Sequence, residues 1–455
     1  MINNILLNSD SYKHSHFNQY PPGTEYVYSY IESRGGKYDT TLFFGLQAFL
    51  IEYMTTPVTM DMINLAEGIV TAHGEPFNRE GWEYIVKSHG GRLPVRIRAV
   101  PEGTVVPTKN ILVDIVNTDP KCYWLTSFLE TALLRAVWYP TTVATNSREI
   151  KKVIFDALVE TGTPGDIQFK LHDFGSRGVS SRESAGIGGA AHLINFLGTD
   201  TLEALLFTRL YYAAEMAGFS IPAMEHSSVT SWGRDNEVEA YRNMLTKNAK
   251  PGGLVACVSD SYDIFKACRL WGTELKDEVI NSGATVVVRP DSGHPASVVL
   301  HCLQILDHYF GHIVNEHGYK VLNNVRVLQG DGITIDSIKE IIDVFVADGY
   351  SADNVVFGQG GALLQIVNRD DQQFAMKCSA AFINGEWVDV FKDPITDHGK
   401  QSKKGLLKLI EDSNGIMSTV RESESVCSNL LVEVFRDGQI ITLYDFDQVI
   451  ANAAL

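Results

Sequence analysis

Apolar and polar positions change their spacing twice along the chain. The N-terminal part and the C-terminal end carry short apolar runs bounded by Gly, Pro and Asp, a pattern typical of β-strands; the clearest runs are 26–34, 93–100, 111–118 and 430–444. Within the last run, Asp437-Gly438 predicts a hairpin turn. Residues 123–137 instead have helical spacing. We therefore expect the two ends to form one discontinuous α+β domain, made of residues 1–147 and 378–455.

The middle of the chain, 148–377, has a different and repeated pattern. Short apolar runs each end in polar residues or glycines, and a helical pattern usually follows. For example, Asp336 is a candidate N-cap for the helix after the run 325–332. Six runs follow this rule: 167–175, 219–227, 254–261, 285–293, 325–332 and 354–361.

This β-then-α repeat predicts a parallel sheet with covering helices. A doubly wound open sheet would place its site at one switch point, whereas a (β/α) barrel collects functional residues from many strand ends. Because six successive strand ends carry His, Asp, Glu, Arg or Gly, we favour an irregular (β/α) barrel over the open sheet. The predicted fold class is α/β, a barrel domain plus the discontinuous α+β domain.

Composition narrows the class of protein. The 455 residues include 38 Lys+Arg and 55 Asp+Glu, giving a net charge of −17, with 45% hydrophobic and 20% charged residues. This balance excludes intrinsic disorder and argues against a nucleic-acid partner, and no apolar stretch is long enough to suggest a membrane span. The start lacks the pattern of a secretion signal, and the six dispersed cysteines indicate buried thiols in a reducing compartment. We expect a cytoplasmic protein.

Two glycine-containing loops are candidate phosphate sites. Gly330, Asp331 and Gly332, and the later run 358–361 with Gly360 and Gly361, each separate a strand from a helix. Glycines there let backbone N–H groups approach an anion, and the last two loops of a barrel often bind phosphate. Tight turns without a ligand are the alternative. Neither loop matches a P-loop or a complete dinucleotide-binding motif.

Charged side chains gather near the same strand ends. Basic residues there suggest a polyanionic ligand, with a solvated turn as the alternative for the last three; they are Arg177, Arg289, Arg369, Lys377, Lys392, Lys400, Lys403 and Lys404. Carboxylates could hold ribose hydroxyls or Mg²⁺, or only cap helices; they are Asp200, Asp263, Asp291 and Asp331.

His226 is the histidine best placed for chemistry. It follows Glu225 at the end of a strand-like run, and a neighbouring carboxylate could select its tautomer and raise its basicity, as a phosphate-accepting imidazole requires. The alternative is a histidine with a purely structural role. His172 and His294 have similar positions with weaker neighbours, and no zinc-binding spacing occurs.

These residues lie within motifs that resemble one family almost from end to end. The chain is similar to the type II phosphoribosyltransferases, and among them to the nicotinamide phosphoribosyltransferases, in the motifs at 117–134, 138–149, 170–181, 185–193, 198–201, 258–264, 289–293, 329–332 and 391–394. The resemblance implies the barrel fold of that family. It also implies transfer of phosphoribose from phosphoribosyl pyrophosphate to nicotinamide, with ATP as co-substrate, Mg²⁺ as cofactor, and a homodimer with shared active sites.

The resemblance also implies roles for individual residues. Phe174 and, from the second subunit, Tyr12 would enclose the nicotinamide ring, and Asp200 would accept a hydrogen bond from its carboxamide. His226 would be transiently phosphorylated by ATP, supported by Asp263. The remaining substrate groups would be Arg177, Arg289, Asp291, Gly330, Asp331, Gly360 and Gly361, and the pyrophosphate or ATP groups Arg34, Arg369, Lys377, Lys392 and Lys403.

Asp200 also decides between the neighbouring activities that remain open. A nicotinate carboxylate ~4 Å from an ionised Asp200 would be repelled by roughly 4 kcal/mol at an effective dielectric near 20. An ionised Asp200 therefore favours the amide. The alternatives are a nicotinate phosphoribosyltransferase and a non-catalytic nucleotide-sensing homologue.

Overall fold

The computed structural model describes residues 3–396 and 401–454. Contacts divide the chain into two compact units. Unit 1 consists of Met1–Thr145, Leu210–Ala214 and Asn368–Leu455, and unit 2 of Asn146–Arg209 and Glu215–Val367. The boundaries that we expect from the sequence, near 147 and 377, fall inside the helix Glu130–Thr161 and the strand Phe374–Ile383.

Unit 1 is built on an antiparallel sheet that joins both ends of the chain. The C-terminal strand Val432–Arg436 pairs with Val95–Ala99, and Phe374–Ile383 pairs with Thr24–Ser33. The order of the sheet is Glu386–Asp389, Phe374–Ile383, Thr24–Ser33, Ile111–Asn117, Val95–Ala99, Val432–Arg436 and Gln439–Ile440. Two two-stranded antiparallel sheets accompany it: Thr40–Leu42 with Val105–Pro107, and the hairpin Leu407–Glu411 with Met417–Arg421.

Local chemistry accounts for the elements of unit 1. At the predicted hairpin, Asp437 and Gly438 both have positive φ, 49° and 80°, as a two-residue turn between twisted strands requires. The helix expected over 123–137 is broken near Leu129, because Leu125–Phe128 and Glu130–Thr161 are separate helices. The other helices of five or more residues in the described part of unit 1 are Ser11–Asn18 (3-10 type), Leu50–Met54 (π-type), Met60–His73, Arg79–His89 and Phe446–Asn452, and Leu46–Phe49 is a single turn.

Unit 2 contains six parallel strands in the order Gly198–Thr199, Leu171–Asp173, Val355–Gln359, Val325–Gln329, Thr285–Arg289 and Leu254–Val258. The run 219–227, one of the six expected strands, forms only isolated bridges, and the strand Gly198–Thr199 lies outside the six expected runs. These bridges are nevertheless decisive, because Phe219 pairs with Gly198 at one edge and Ala223 with Ala256 at the other. The segment thus closes the sheet into an irregular barrel, which confirms the predicted fold class.

Helices follow the barrel strands with their apolar faces buried. The helix Ile335–Ala347 buries Ile338, Ile341, Ile342 and Phe345. Its N-cap is Thr334, whose hydroxyl accepts from the Ser337 amide; the expected cap, Asp336, instead lies in the first turn. The other α-helices of unit 2 are Arg182–Leu193, Leu202–Tyr212 (whose end, from Leu210, belongs to unit 1), His226–Thr230, Glu237–Asn248, Ile264–Gly272, Lys276–Ser282, Pro295–Phe310 and Gly361–Leu364. The strand His312–Val314 pairs with Lys320–Leu322.

The six cysteines are unpaired, and four are buried, whereas Cys378 is half-buried and Cys427 is exposed. The expectation of buried thiols is therefore wrong for Cys427. Within the described residues, no helix combines the length and apolar character needed to cross a membrane.

Candidate active site

In unit 2, the carboxyl ends of the parallel strands bring several expected residues together around Phe174. Phe174 directly follows the strand Leu171–Asp173, and Arg289 ends the strand Thr285–Arg289. The Arg289 guanidinium lies 5.1 Å from the centre of the Phe174 ring, within cation–π range. Arg289 Nη2 also donates to Asp291 Oδ1 at 2.8 Å. Phe174, Arg289 and Asp291, predicted as substrate groups, therefore form one cluster.

Two glycines make room for the Phe174 ring. A Cβ on Gly358 would lie 2.0 Å from Phe174 Cε2, whereas a Cβ on Gly330 would lie 3.4 Å from the same atom. Gly330 thus lies beside the ring, but only Gly358 lies so close to it that no side chain would fit there. Gly358 belongs to the expected loop 358–361 but was not among the predicted site residues.

Asp200 lies where three neighbouring strands end. His172 is paired with Gly198, and Gly198 with Phe219, so the ladder places His172, Asp200 and Ser220 side by side. Ser220 Oγ donates to Asp200 Oδ1 at 2.5 Å, and His172 Nε2 lies 3.0 Å from the same oxygen. Because a carboxylate can only accept, the His172 Nε2 carries the proton. Ser220 gave no recognisable signal in the sequence.

These contacts control the charge of Asp200. Partial burial raises the pKa of a carboxyl, but the hydrogen bonds from His172 and Ser220 outweigh it, with a smaller contribution from the Arg289 charge. The net effect is a lowered pKa for Asp200. Its carboxylate is 47% exposed, so it is ionised and accessible at neutral pH.

His226 has a different partner from the expected one. Its Nε2 lies 2.9 Å from Asp260 Oδ1, and Asp260 Oδ2 accepts from Ser292 Oγ at 2.6 Å. Asp263, predicted as the supporting carboxylate, instead caps the helix Ile264–Gly272 by accepting from two backbone amides.

Glu225, predicted to select the tautomer of His226, accepts from Ser227 Oγ instead. The motif 258–264 contains two acids three residues apart, and the one that contacts His226 is Asp260 rather than the predicted Asp263. The side chain of Asp260 is only 5% exposed, while that of His226 is 47% exposed. A buried acceptor thus holds an accessible imidazole.

The other residues expected in unit 2 lie in exposed loops. Arg177 is exposed in the turn Ser176–Gly178, which packs against the second glycine loop because a Cβ on Gly178 would lie 3.2 Å from Gly361 Cα. Gly360 and Gly361 begin the one-turn helix Gly361–Leu364. Asp331 is exposed, and none of the described side chains hydrogen-bonds to its carboxylate.

In unit 1, Lys377 is the centre of a basic cluster. Burial lowers the pKa of Lys377, and the positive charges of Arg34, Lys392 and Lys13 lower it further, against the attraction of Glu130. Arg34 Nε and Nη2 are buried, and neither donates a hydrogen bond to an atom of the described chain. Closely spaced cations with unused donors are suited to an anion.

The remaining basic residues of unit 1 are already engaged or lie elsewhere. Lys403 donates to Glu32 and lies over the Tyr30 ring, while Arg369 is exposed and pairs with Asp370 at 3.1 Å. Tyr12 is 52% exposed. Lys400 lies outside the described residues, and nothing is inferred for it.

Among the residues that the structure describes, no three potential metal ligands gather around Phe174. In the described part of the chain, only His89, Asp119 and Cys122 of unit 1 bring three potential ligand atoms within 4.8 Å of one another. Asp119 already accepts from Tyr84 and lies against His89, and burial raises the pKa of Cys122 to about 12. This group is therefore unrelated to the expected Mg²⁺.

Comparison with known proteins places the chain in a family. The model of the nicotinate phosphoribosyltransferase (NAPRTase) family matches residues 169–439, and that of the nicotinamide phosphoribosyltransferase N-terminal domain matches residues 4–97. A nicotinamide phosphoribosyltransferase of Xanthomonas campestris is 57% identical over 99% of this chain and 98% of that protein. One from Acinetobacter baylyi is 32% identical over 98% of this chain and 96% of that protein.

Solved structures share the fold at low identity. The nicotinate-nucleotide pyrophosphorylase of Pyrococcus furiosus matches with a TM-score of 0.62 and 16% identity, covering 100% of this chain and 95% of that one. Human nicotinic acid phosphoribosyltransferase matches with a TM-score of 0.58 and 15% identity, covering 98% and 92%. The barrel, the family models and the near full-length relatives agree that the chain belongs to the nicotinate phosphoribosyltransferase (NAPRTase) family.

Proposed function

We propose that this protein is an enzyme that transfers the 5-phosphoribosyl group of phosphoribosyl pyrophosphate to nicotinamide, giving nicotinamide mononucleotide and pyrophosphate. The observation that carries the proposal is the ionised Asp200 beside Phe174, in a chain 57% identical to a nicotinamide phosphoribosyltransferase. An aromatic face suits a pyridine ring, and an acceptor-only carboxylate suits an amide N–H.

The chemical step requires positioning and charge rather than proton transfer. The pyridine nitrogen of nicotinamide forms a bond to ribose C1′ with its own lone pair while the bond from C1′ to pyrophosphate breaks. No general base is needed, because the attacking nitrogen has a free lone pair, and pyrophosphate leaves with the bonding electrons. The protein holds the two reactants in line and stabilises charge as it separates. Arg289 and Asp291 are the groups of the Phe174 cluster that we assign to the phosphoribosyl substrate.

Asp200 provides selection against nicotinate. At ~4 Å the repulsion of roughly 4 kcal/mol at an effective dielectric of 20 is an upper value, because Asp200 is partly exposed and water screens it. A discounted repulsion of about 1.5–3 kcal/mol still corresponds to about ten- to hundredfold in affinity. The family model carries the name of the nicotinate enzyme, so this activity is the second candidate.

ATP would be coupled through His226. The proton on Nε2 is committed to Asp260, which leaves the lone pair of Nδ1 as the nucleophile for the γ-phosphoryl group of ATP. Phosphoryl transfer breaks the bond to the β-phosphate oxygen and releases ADP, and Asp260 balances the positive charge that develops on the ring. Later hydrolysis of the phosphohistidine returns inorganic phosphate and free His226.

The basic cluster of unit 1 would bind pyrophosphate or the ATP phosphates. Arg34 has two buried N–H groups that donate no hydrogen bond, although its Nε lies 3.6 Å from Glu32 Oε1, and Lys377 and Lys392 are the other members that we assign to the anion. Lys403 would first have to leave Glu32. We further propose a homodimer in which Tyr12 of the partner subunit covers the nicotinamide ring opposite Phe174. A variant confined to monomers that keeps full activity at assay dilution would refute this arrangement.

The residues of the site would take Mg²⁺ only when the ion is also bound by the phosphates of a substrate. Asp291 is engaged by Arg289, and Asp331 is an exposed carboxylate in the glycine loop. One or two carboxylates plus phosphate oxygens is the usual coordination of Mg²⁺ with nucleotides. When bound, the ion would neutralise the charge of the pyrophosphate group.

A product assay tests the proposal directly. The protein is supplied with phosphoribosyl pyrophosphate and either nicotinamide or nicotinate, each with and without ATP, and both mononucleotides are quantified. We expect nicotinamide mononucleotide as the main product and stimulation by ATP. Asp200→Asn, which keeps the shape and removes the charge, should raise the relative use of nicotinate. Preferential formation of nicotinate mononucleotide would establish the second candidate instead, and no product with either base would point to a nucleotide sensor.

A further inference from the structure

The two hydrogen-bond donors on Asp200 share a single oxygen. Ser220 Oγ and His172 Nε2 both contact Oδ1, at 2.5 and 3.0 Å. Within the described chain, Oδ2 receives no hydrogen bond from any residue. One oxygen is therefore saturated by the protein, and the other is left as the acceptor for a ligand.

The surrounding residues hold these donors in place. His172 is only 13% exposed, and its ring packs against Phe174 with centroids 5.1 Å apart. On its other side, a Cβ on Gly198 would lie 2.7 Å from His172 Nδ1, so only glycine leaves space for the ring. Ser220 is held because its neighbour Phe219 exchanges backbone hydrogen bonds with Leu197 and Thr199.

We propose that His172 and Ser220 are specificity-determining residues, which orient Asp200 as a single-oxygen acceptor for the carboxamide. The inference rests on the proposed function and adds to it the residues that impose the preference for the amide. Neither residue needs to touch the substrate's reacting atoms, so both are positioning residues.

The physical consequence concerns what happens when a donor is removed. The two hydrogen bonds fix the orientation of the carboxylate, because both hold Oδ1 and leave Oδ2 pointing away from the donors. A carboxylate that rotates freely presents no fixed acceptor to the amide N–H. Loss of either donor should therefore lower the use of nicotinamide more than that of nicotinate, which makes no hydrogen bond of this kind.

The test compares kcat/KM for nicotinamide and nicotinate in the full-length enzyme. We expect Ser220→Ala and His172→Phe each to lower the amide-to-acid ratio about tenfold, since charge-assisted hydrogen bonds are the strong ones. His172→Gln, which retains an N–H donor, should recover part of the ratio. The matched control is Ser282→Ala, whose hydroxyl contacts only the backbone of Val279 and Ala284; it should leave the ratio unchanged.

The outcomes separate the two proposals. If the wild type shows no preference for nicotinamide, the proposed function itself fails. If the wild type prefers nicotinamide but Ser220→Ala and His172→Phe lower both kcat/KM values equally, the two residues are merely structural and the inference is overturned. A fall in the ratio with retained thermal stability supports it.

Discussion

Gly358 offers the sharpest structural prediction, because it has a matched counterpart in Gly330. A methyl group at Gly358 would lie 2.0 Å from Phe174 Cε2, and one at Gly330 would lie 3.4 Å from the same atom. Gly358 is within a central parallel strand, paired with His172, so its backbone cannot retreat. In Gly358→Ala the ring edge must therefore recede by about 3.4 − 2.0 = 1.4 Å to regain an ordinary contact.

The cost of that displacement can be estimated. Overpacking of a well-ordered core costs about 1–3 kcal/mol, which at about 3 °C per kcal/mol lowers the melting temperature of a unit of this size by roughly 3–9 °C. The displaced ring also loses its stacking position, for which we expect about a tenfold rise in the KM for nicotinamide. Gly330→Ala should leave the melting temperature within about 1 °C of the wild type.

Thermal unfolding and initial-rate kinetics on the two variants check this prediction. Gly330→Ala serves as a stability control only, since Gly330 belongs to the proposed phosphate loop. A Gly358→Ala protein as stable as the wild type, with an unchanged KM for nicotinamide, would refute the claim that this glycine positions the aromatic ring.

Three further predictions concern other parts of the molecule. His226→Ala should abolish ATP stimulation and acid-labile labelling by [γ-³²P]ATP while basal transfer persists; labelling that survives the substitution would contradict the role of His226. Burial lowers the pKa of His192 to about 4, below its unfolded value of ~6.5, so the unfolded chain binds the extra proton. The free energy of unfolding should accordingly fall by about 1.4 kcal/mol for each pH unit as the pH drops from 6.5 towards 4. In chemical denaturation, His192→Gln should show a weaker dependence of this free energy on pH. Tyr212→Phe removes a 2.6 Å hydrogen bond to the buried Glu102 and should destabilise unit 1 by about 1–3 kcal/mol in the same assay, whereas an unchanged stability would show that the bond contributes nothing.

Much of the fold could be predicted from the sequence because its signals are local. The strand runs of the N-terminal part, the Asp437-Gly438 hairpin and the apolar face of Ile335–Ala347 depend on spacing and turn chemistry within a few residues. The same holds for the repeated strand ends that predicted a barrel. The misplaced N-cap at Asp336 shows the limit, since Thr334, Asp336 and Ser337 are all polar and only backbone geometry selects the cap.

Motifs identified where the residues of the candidate site would lie along the chain, but not which of them would be in contact. Phe174, Asp200, Arg289 and Asp291 lie at strand ends that motifs identify. The partner of His226 was misassigned because Asp260 and Asp263 are both acids of the same motif.

What the sequence determined by itself was the alternation of elements, the family motifs and the types of chemical group available. Only the tertiary structure decided which groups meet: Asp260 with His226, Ser220 and His172 on one oxygen of Asp200, and Gly358 under Phe174. The physical reason is that a parallel ladder brings together strand ends that are far apart in the chain. In the segment around Ser220, that ladder closes through two isolated bridges that periodicity does not encode.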